Sequence, residues 1–179
     1  TTLLNIVEDA ISRGIKPERI AYLAFTRKAA YEAQERAMLK FNLDEDRFPY
    51  FRTLHSLAFK QLGLQRDEVM TNDHYRKFGK AMGINFKGIY DEALGFSLGD
   101  GLGDKCSRIE SLARMGVRTV EQQYQLSNTE DLNLHAVKQY HSALLKYKKD
   151  NGILDFTDML QKYNSDLDYS YYLSKHINK

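Results

Sequence analysis

Two short segments carry residues whose types and spacing suit contact with a phosphate-bearing polymer. In 24-AFTRKAA-30 a ring (Phe25), a hydroxyl (Thr26) and two cations (Arg27, Lys28) fall where an apolar run, 20-IAYLAF-25, gives way to a helix-forming stretch. A threonine at that point can cap the helix. The helix N-terminus offers free backbone N–H groups and a partial positive charge, which suit phosphate, and a nearby ring can stack on a base. In 51-FRTLHSLAF-59, Thr53 and Ser56 place hydroxyls around His55 at a second helix start. Such groups can donate to a backbone phosphate. Taken alone, each segment also fits a capped helix on a solvated face with an incidental histidine. No second cluster of His, Cys or Asp stands at metal-ligand spacing, so His55 is not expected to bind a metal.

The elements that must position these groups follow from hydrophobic spacing. Leu3, Leu4, Val7, Ala10 and Ile11 recur at helical intervals, with Gly14 where a C-terminal cap belongs. Residues 20–25 are short and continuously apolar, as expected of a strand buried on both faces. Ala29, Ala30, Ala33, Ala37 and Phe41 mark the next helix. Helix, buried strand, helix is the rhythm of a parallel sheet with crossover helices. A second strand is expected at 49–53, running into a helix at 54–62 that Gly63 closes. From about residue 64 no strand signal is convincing. Helices are expected near 73–82, 104–114, 119–126 and 129–149, the last with Val137, Tyr140, Leu144 and Tyr147 on one face. Thr119-x-x-Gln122 and Ser127-x-x-Glu130 read as capping boxes. The glycine-rich stretch 94–105 reads as a loop, and Asp155-Phe-Thr-Asp158 as the cap of a further short helix.

With 179 residues, 26 Lys+Arg against 24 Asp+Glu and a net charge of +2, the chain is one ordinary domain or a domain with a sizeable insertion. The near-neutral total means that any nucleic-acid contact must come from local clustering. A single cysteine, Cys106, excludes an internal disulfide and fits a reducing compartment. No apolar run approaches the roughly 20 residues of a membrane helix, and the start, Thr1-Thr2-Leu3-Leu4, has no signal-peptide layout.

Together the two segments resemble the UvrD/Rep-type superfamily-one DNA helicases. The string 24-AFTRKAA-30 is similar to that family's motif Ia, and 53-TLHSL-57 to the Thr-Phe-His-Ser/Gly-Leu motif that follows it. The string 154-LDFTDML-160 is similar to the Asp-Phe-Asp-Asp-Leu-Leu string that precedes motif II. Arg27 stands where the family usually has asparagine, and Leu54 where it usually has phenylalanine. The resemblance implies an α/β fold: a P-loop (RecA-like) parallel-sheet fragment over 1–63, a mostly helical insertion over 64–151, and a return to the motor domain over 152–179, with helix predominating. It implies that Phe25, Thr26, Thr53 and His55 touch single-stranded DNA, with Arg27 and Lys28 beside its phosphates. Arg76, Lys77, Lys80 and Lys87 of the insertion become candidate contacts to the duplex of a forked substrate, against a solvated charged face as the plainer reading. ATP and Mg²⁺ are the implied cofactors, DNA the implied partner, and the cytoplasm, with the nucleoid, the implied location.

A motor of this kind needs a phosphate-cradling Gly-x-x-x-x-Gly-Lys-Thr/Ser loop and a metal-holding Asp-Glu pair at a strand end. Neither string is in the chain. Thr1 or Thr2 corresponds by position to the loop's last hydroxyl. The glycines at 95–103 lack the Gly-Lys-Ser/Thr ending, and Asp100 and Asp104 would repel phosphate. Asp67-Glu68 and Asp91-Glu92 read as surface pairs of the insertion. No catalytic residue is expected in this chain, and 165–179 does not match the strand that the family would place there. Three functions fit: part of an ATP-dependent DNA helicase, a non-catalytic nucleic-acid-binding module derived from one, or a helical interaction protein with no nucleic-acid role.

Overall fold

A computed structural model describes residues 2–91, 94–128 and 131–176. The chain divides into two compact units, Thr1–Leu62 and Gly63–Lys179.

In the first unit, helix α1 (Thr2–Ser12) buries Leu4 and Val7. It ends where Gly14, at φ +85, lets the Ile15 amide donate back to the Ala10 carbonyl at 3.1 Å, a left-handed turn that glycine makes without a Cβ penalty. Strand β1 (Tyr22–Ala24) is followed at once by α2 (Arg27–Phe41), and β2 (Phe51–Thr53) by α3 (Leu54–Gln61). The strands pair in parallel, with Tyr22 opposite Phe51, Leu23 opposite Arg52 and Ala24 opposite Thr53. Tyr22 stacks on Phe51 at 5.1 Å. Leu4 and Val7 of α1, Ala33 and Ala37 of α2, and Phe48 and Phe51 close one core beside this sheet. β1 is not buried on both faces as its composition suggests. Only three residues pair, β2 is its one partner among the described residues, and Leu23 on the opposite face is 45% exposed. An apolar run reports what could be covered, and the covering elements decide what is.

The second unit is built from α4 (Asn72–Met82), β3 (Tyr90–Asp91), β4 (Phe96–Ser97), α5 (Leu102–Met115), α6 (Val120–Leu126), α7 (Leu134–Asn151) and α8 (Phe156–His176). Its core joins Tyr75 and Phe78 of α4, Cys106, Ile109 and Ala113 of α5, and Val137, Tyr140 and Leu144 of α7. The face expected on α7 is the buried one, with Tyr147 packed at its margin. The 119–126 capping box is present: the Thr119 hydroxyl accepts from the Gln122 amide at 3.2 Å, and the Gln122 side chain accepts from the Thr119 amide at 2.9 Å. Glu130 of the other expected box lies outside the described residues, and Ser127 closes α6 rather than opening a helix; α7 is capped instead by Asn133, whose side chain accepts from the His135 amide at 2.7 Å.

Three features of this unit differ from the sequence reading. β3 and β4 form an antiparallel pair of two residues each, too short to leave a period-two pattern. The glycine-rich stretch is ordered by Asp104, which is fully buried and accepts from the Lys87 amide at 2.7 Å, the Gly101 amide at 2.9 Å and the Ser97 hydroxyl. Gly88 and Gly99 approach so closely there that a Cβ on Gly88 would sit 2.2 Å from the Gly99 nitrogen. Finally, α8 is not short: it runs 21 residues through the segment that matched nothing. That stretch holds neither glycine nor proline up to His176, so nothing local stops the helix. No helix among the described residues is long and apolar enough to cross a membrane.

Candidate nucleic-acid interface

Parallel pairing brings the two motif segments to one edge. Ala24 and Thr53 are register partners, so both strands end at the same rim and each turns directly into a helix. Thr26 is extended (φ −114, ψ 153), and its hydroxyl accepts from the Ala29 amide at 3.2 Å. Thr53 repeats this arrangement on α3, accepting from the Ser56 amide at 3.2 Å. Both threonines are N-caps, as their position after an extended run predicts. Capping and ligand contact are compatible, because a hydroxyl that accepts one N–H keeps its own O–H as a donor.

The rim's side chains are unequally available. Phe25 is 72% exposed, so its ring has a face to offer a ligand. Thr26, Arg27 and Lys28 are exposed, and His55 is half-buried. Thr53 is only 9% exposed, so its main effect is to fix the start of α3. Two capped helix N-termini, an open ring and cations at 27 and 28 thus share one edge of the first unit.

The remaining candidates stand apart in the second unit. Arg76, Lys77 and Lys80 are exposed on α4, and Lys77 is ion-paired with Asp73 at 2.8 Å. Lys87 is exposed and lies 3.3 Å from Asp100. Such surface pairs contribute roughly 0–1 kcal/mol.

The nucleotide residues were expected at Thr1 and Thr2. Thr1 lies outside the described residues, and Thr2 is exposed at the start of α1. The described residues do not make up an ATP–Mg²⁺ site. The Gly-Lys loop is absent from the sequence, and among the described residues no group of three or more His, Cys, Asp or Glu is placed to hold a metal ion. The glycine-rich loop is no substitute, since the Asp104 carboxylate already takes the amides of Lys87, Gly88 and Gly101 that an anion would need. Burial opposes ionisation of Asp104, but these hydrogen bonds and that of Ser97 outweigh it and lower its pKa.

Sequence reasoning took Asp155 and Asp158 as a helix cap and missed their larger role. They do cap α8 reciprocally, through Asp158 N–H to Asp155 at 2.8 Å and Asp155 N–H to Asp158 at 3.0 Å. They also close a buried ionic cluster. Arg114 lies 2.6 Å from each carboxylate and 2.8 Å from Glu110. Lys148, 4% exposed, lies 2.7 Å from both aspartates. His141 reaches Glu110 at 3.2 Å. Burial pushes the Asp155 carboxyl up, but Arg114 and Lys148 outweigh it and hold it at about 2. Burial and the Asp155 charge instead raise Asp158. The signal available in the sequence was a pair of carboxylates three residues apart; their cationic partners lie 41 and 7 residues from Asp155, which no local pattern reveals.

A family model for the UvrD/REP helicase N-terminal domain matches residues 1–178. No curated protein and no solved structure matches the chain.

Proposed function

The chain belongs to the UvrD/REP helicase N-terminal domain family, and on that premise we propose that it is a DNA-gripping part of an ATP-dependent helicase that moves on single strands and opens duplex. The observation that carries this is the shared rim. Ala24, just before Phe25 and Thr26, and Thr53, two residues before His55, are register partners, so both segments lie at one edge of the sheet. An exposed ring can stack on one base without regard to its identity. The leading amides of α2, with Arg27 and Lys28, can hold the adjoining phosphates. His55, Thr26 and, less openly, Thr53 supply donors for the sugar-phosphate chain. Binding of this kind reads the backbone and the ring faces rather than sequence.

ATP and Mg²⁺ belong to the parent enzyme in this proposal, since the residues here make up no site for them. Arg76, Lys77, Lys80 and Lys87 are proposed as secondary contacts to the duplex of a fork, and the compartment is the one that holds DNA, the cytoplasm with its nucleoid.

The test is titration of the purified chain against labelled single-stranded and duplex oligonucleotides over a range of salt. The single strand should bind more tightly, with a log–log salt slope of about −0.7 for each phosphate held. Equal affinity for strand and duplex together with no salt dependence would count against the rim.

A further inference from the structure

The second unit contains a cavity of about 190 Å³ that the rim does not use. Tyr75, Phe86 and Tyr90 form its aromatic wall, and Ile89, Asn72 and Arg76 stand around its mouth. The wall is set before any ligand arrives. Tyr75 and Tyr90 stack at 4.8 Å, and Phe86 meets Tyr75 edge-on at 5.7 Å. The Asn72 side chain is tied down as well, since its Oδ1 accepts from the Tyr90 amide at 2.9 Å. By contrast the mouth is open: Ile89 is 76% exposed and Arg76 is exposed. Asp73, the carboxylate three residues before Arg76, is engaged by Lys77 at 2.8 Å.

The volume limits what can enter. Pockets that enclose whole drug-sized ligands run to about 300–1,000 Å³, so at most one ring system can enter here and the rest of its molecule must remain outside. A cation at the mouth favours an anionic remainder, and an aromatic and aliphatic lining favours a ring. A nucleobase carrying its phosphate has both parts.

We propose that this cavity receives one unstacked nucleobase while Arg76 holds the phosphate beside it. The proposal rests on the DNA-binding reading above but uses a different site. It turns Arg76 from a general backbone contact into part of a pocket that takes a base out of the stack, a step that costs least in a strand already unpaired.

The experiment uses a short oligothymidine bearing one 2-aminopurine, whose emission reports stacking, titrated with the whole chain. Emission should change on binding. Arg76→Ala should weaken that response about tenfold, in keeping with loss of a charge-assisted hydrogen bond, and Ile89→Trp should abolish it by closing the mouth. Both side chains are exposed, so both variants should keep the far-UV circular dichroism of the parent. Phe25→Ala should lower total affinity by anisotropy yet leave the part of the emission change that Ile89→Trp removes. Emission that stays constant on binding, or that is indifferent to both pocket variants, overturns the pocket and leaves the rim to be judged by Phe25→Ala alone. An Arg76→Ala loss with no effect of Phe25→Ala overturns the rim and leaves the pocket.

Discussion

At the scale of single residues, exposure separates groups that can meet a ligand from groups that hold the frame. Phe25 at 72% exposure and Thr53 at 9% come from the same pair of motifs, yet only the first has a surface to offer. Phe25→Ala is expected to weaken single-strand binding by about 1–3 kcal/mol, the usual worth of one base–aromatic stack, with no loss of thermal stability; fluorescence anisotropy and a melt check the two halves. Thr53→Ala should do the reverse. It should cost about 1 kcal/mol of stability through loss of the α3 cap, and alter affinity only as that helix start loosens. Cys106 illustrates the opposite extreme. It is 1% exposed, and burial raises its thiol to about 11, so a thiol reagent at neutral pH should label the unfolded chain and spare the native one.

At the scale of elements, the ionic cluster ties α5, α7 and the start of α8 together, and its worth depends on all members being present. Arg114→Met leaves Asp155 and Asp158 with Lys148 alone and is expected to cost about 3–5 kcal/mol in a denaturant titration, because an uncompensated buried charge is left behind. The two aspartates respond to pH with opposite signs. Asp155 is depressed when folded, so its contribution is full above its unfolded value and is lost as pH falls toward about 2. Asp158 is raised when folded, so its contribution is present at low pH and declines as pH rises through its folded value. Acid unfolding of wild type should therefore be gradual, and Asp155→Asn should remove the part that appears below the ordinary carboxylate range. Much of the element layout was legible in the sequence because it is local. The caps at Thr26, Thr53 and Thr119, the glycine stop after α1 and the buried stripe of α7 are each written within a few residues. What was not legible is non-local or too brief: two strands of two residues each, a carboxylate that organises a loop up to 17 residues away, and cations drawn from distant helices. The helical continuation past residue 165 matches no family string, and its only local sign is the lack of glycine or proline up to His176.

For the whole molecule, near-neutral charge and a family assignment pull in different directions until position is considered. A net charge of +2 gives no general attraction to DNA, so binding must come from where the cations and amides stand. The purified chain is expected to hydrolyse no ATP, with or without single-stranded DNA, because it has no lysine-bearing phosphate loop; a phosphate-release assay checks this. The central claim is that the common edge of β1 and β2 is where an unpaired strand lies. The most direct measurement is photocrosslinking of a 5-iodouracil-bearing single strand to the whole chain, with the adducts mapped by mass spectrometry. Adducts at Phe25 and His55 are predicted. Efficient crosslinking confined to the second unit, with neither residue modified, would contradict the account.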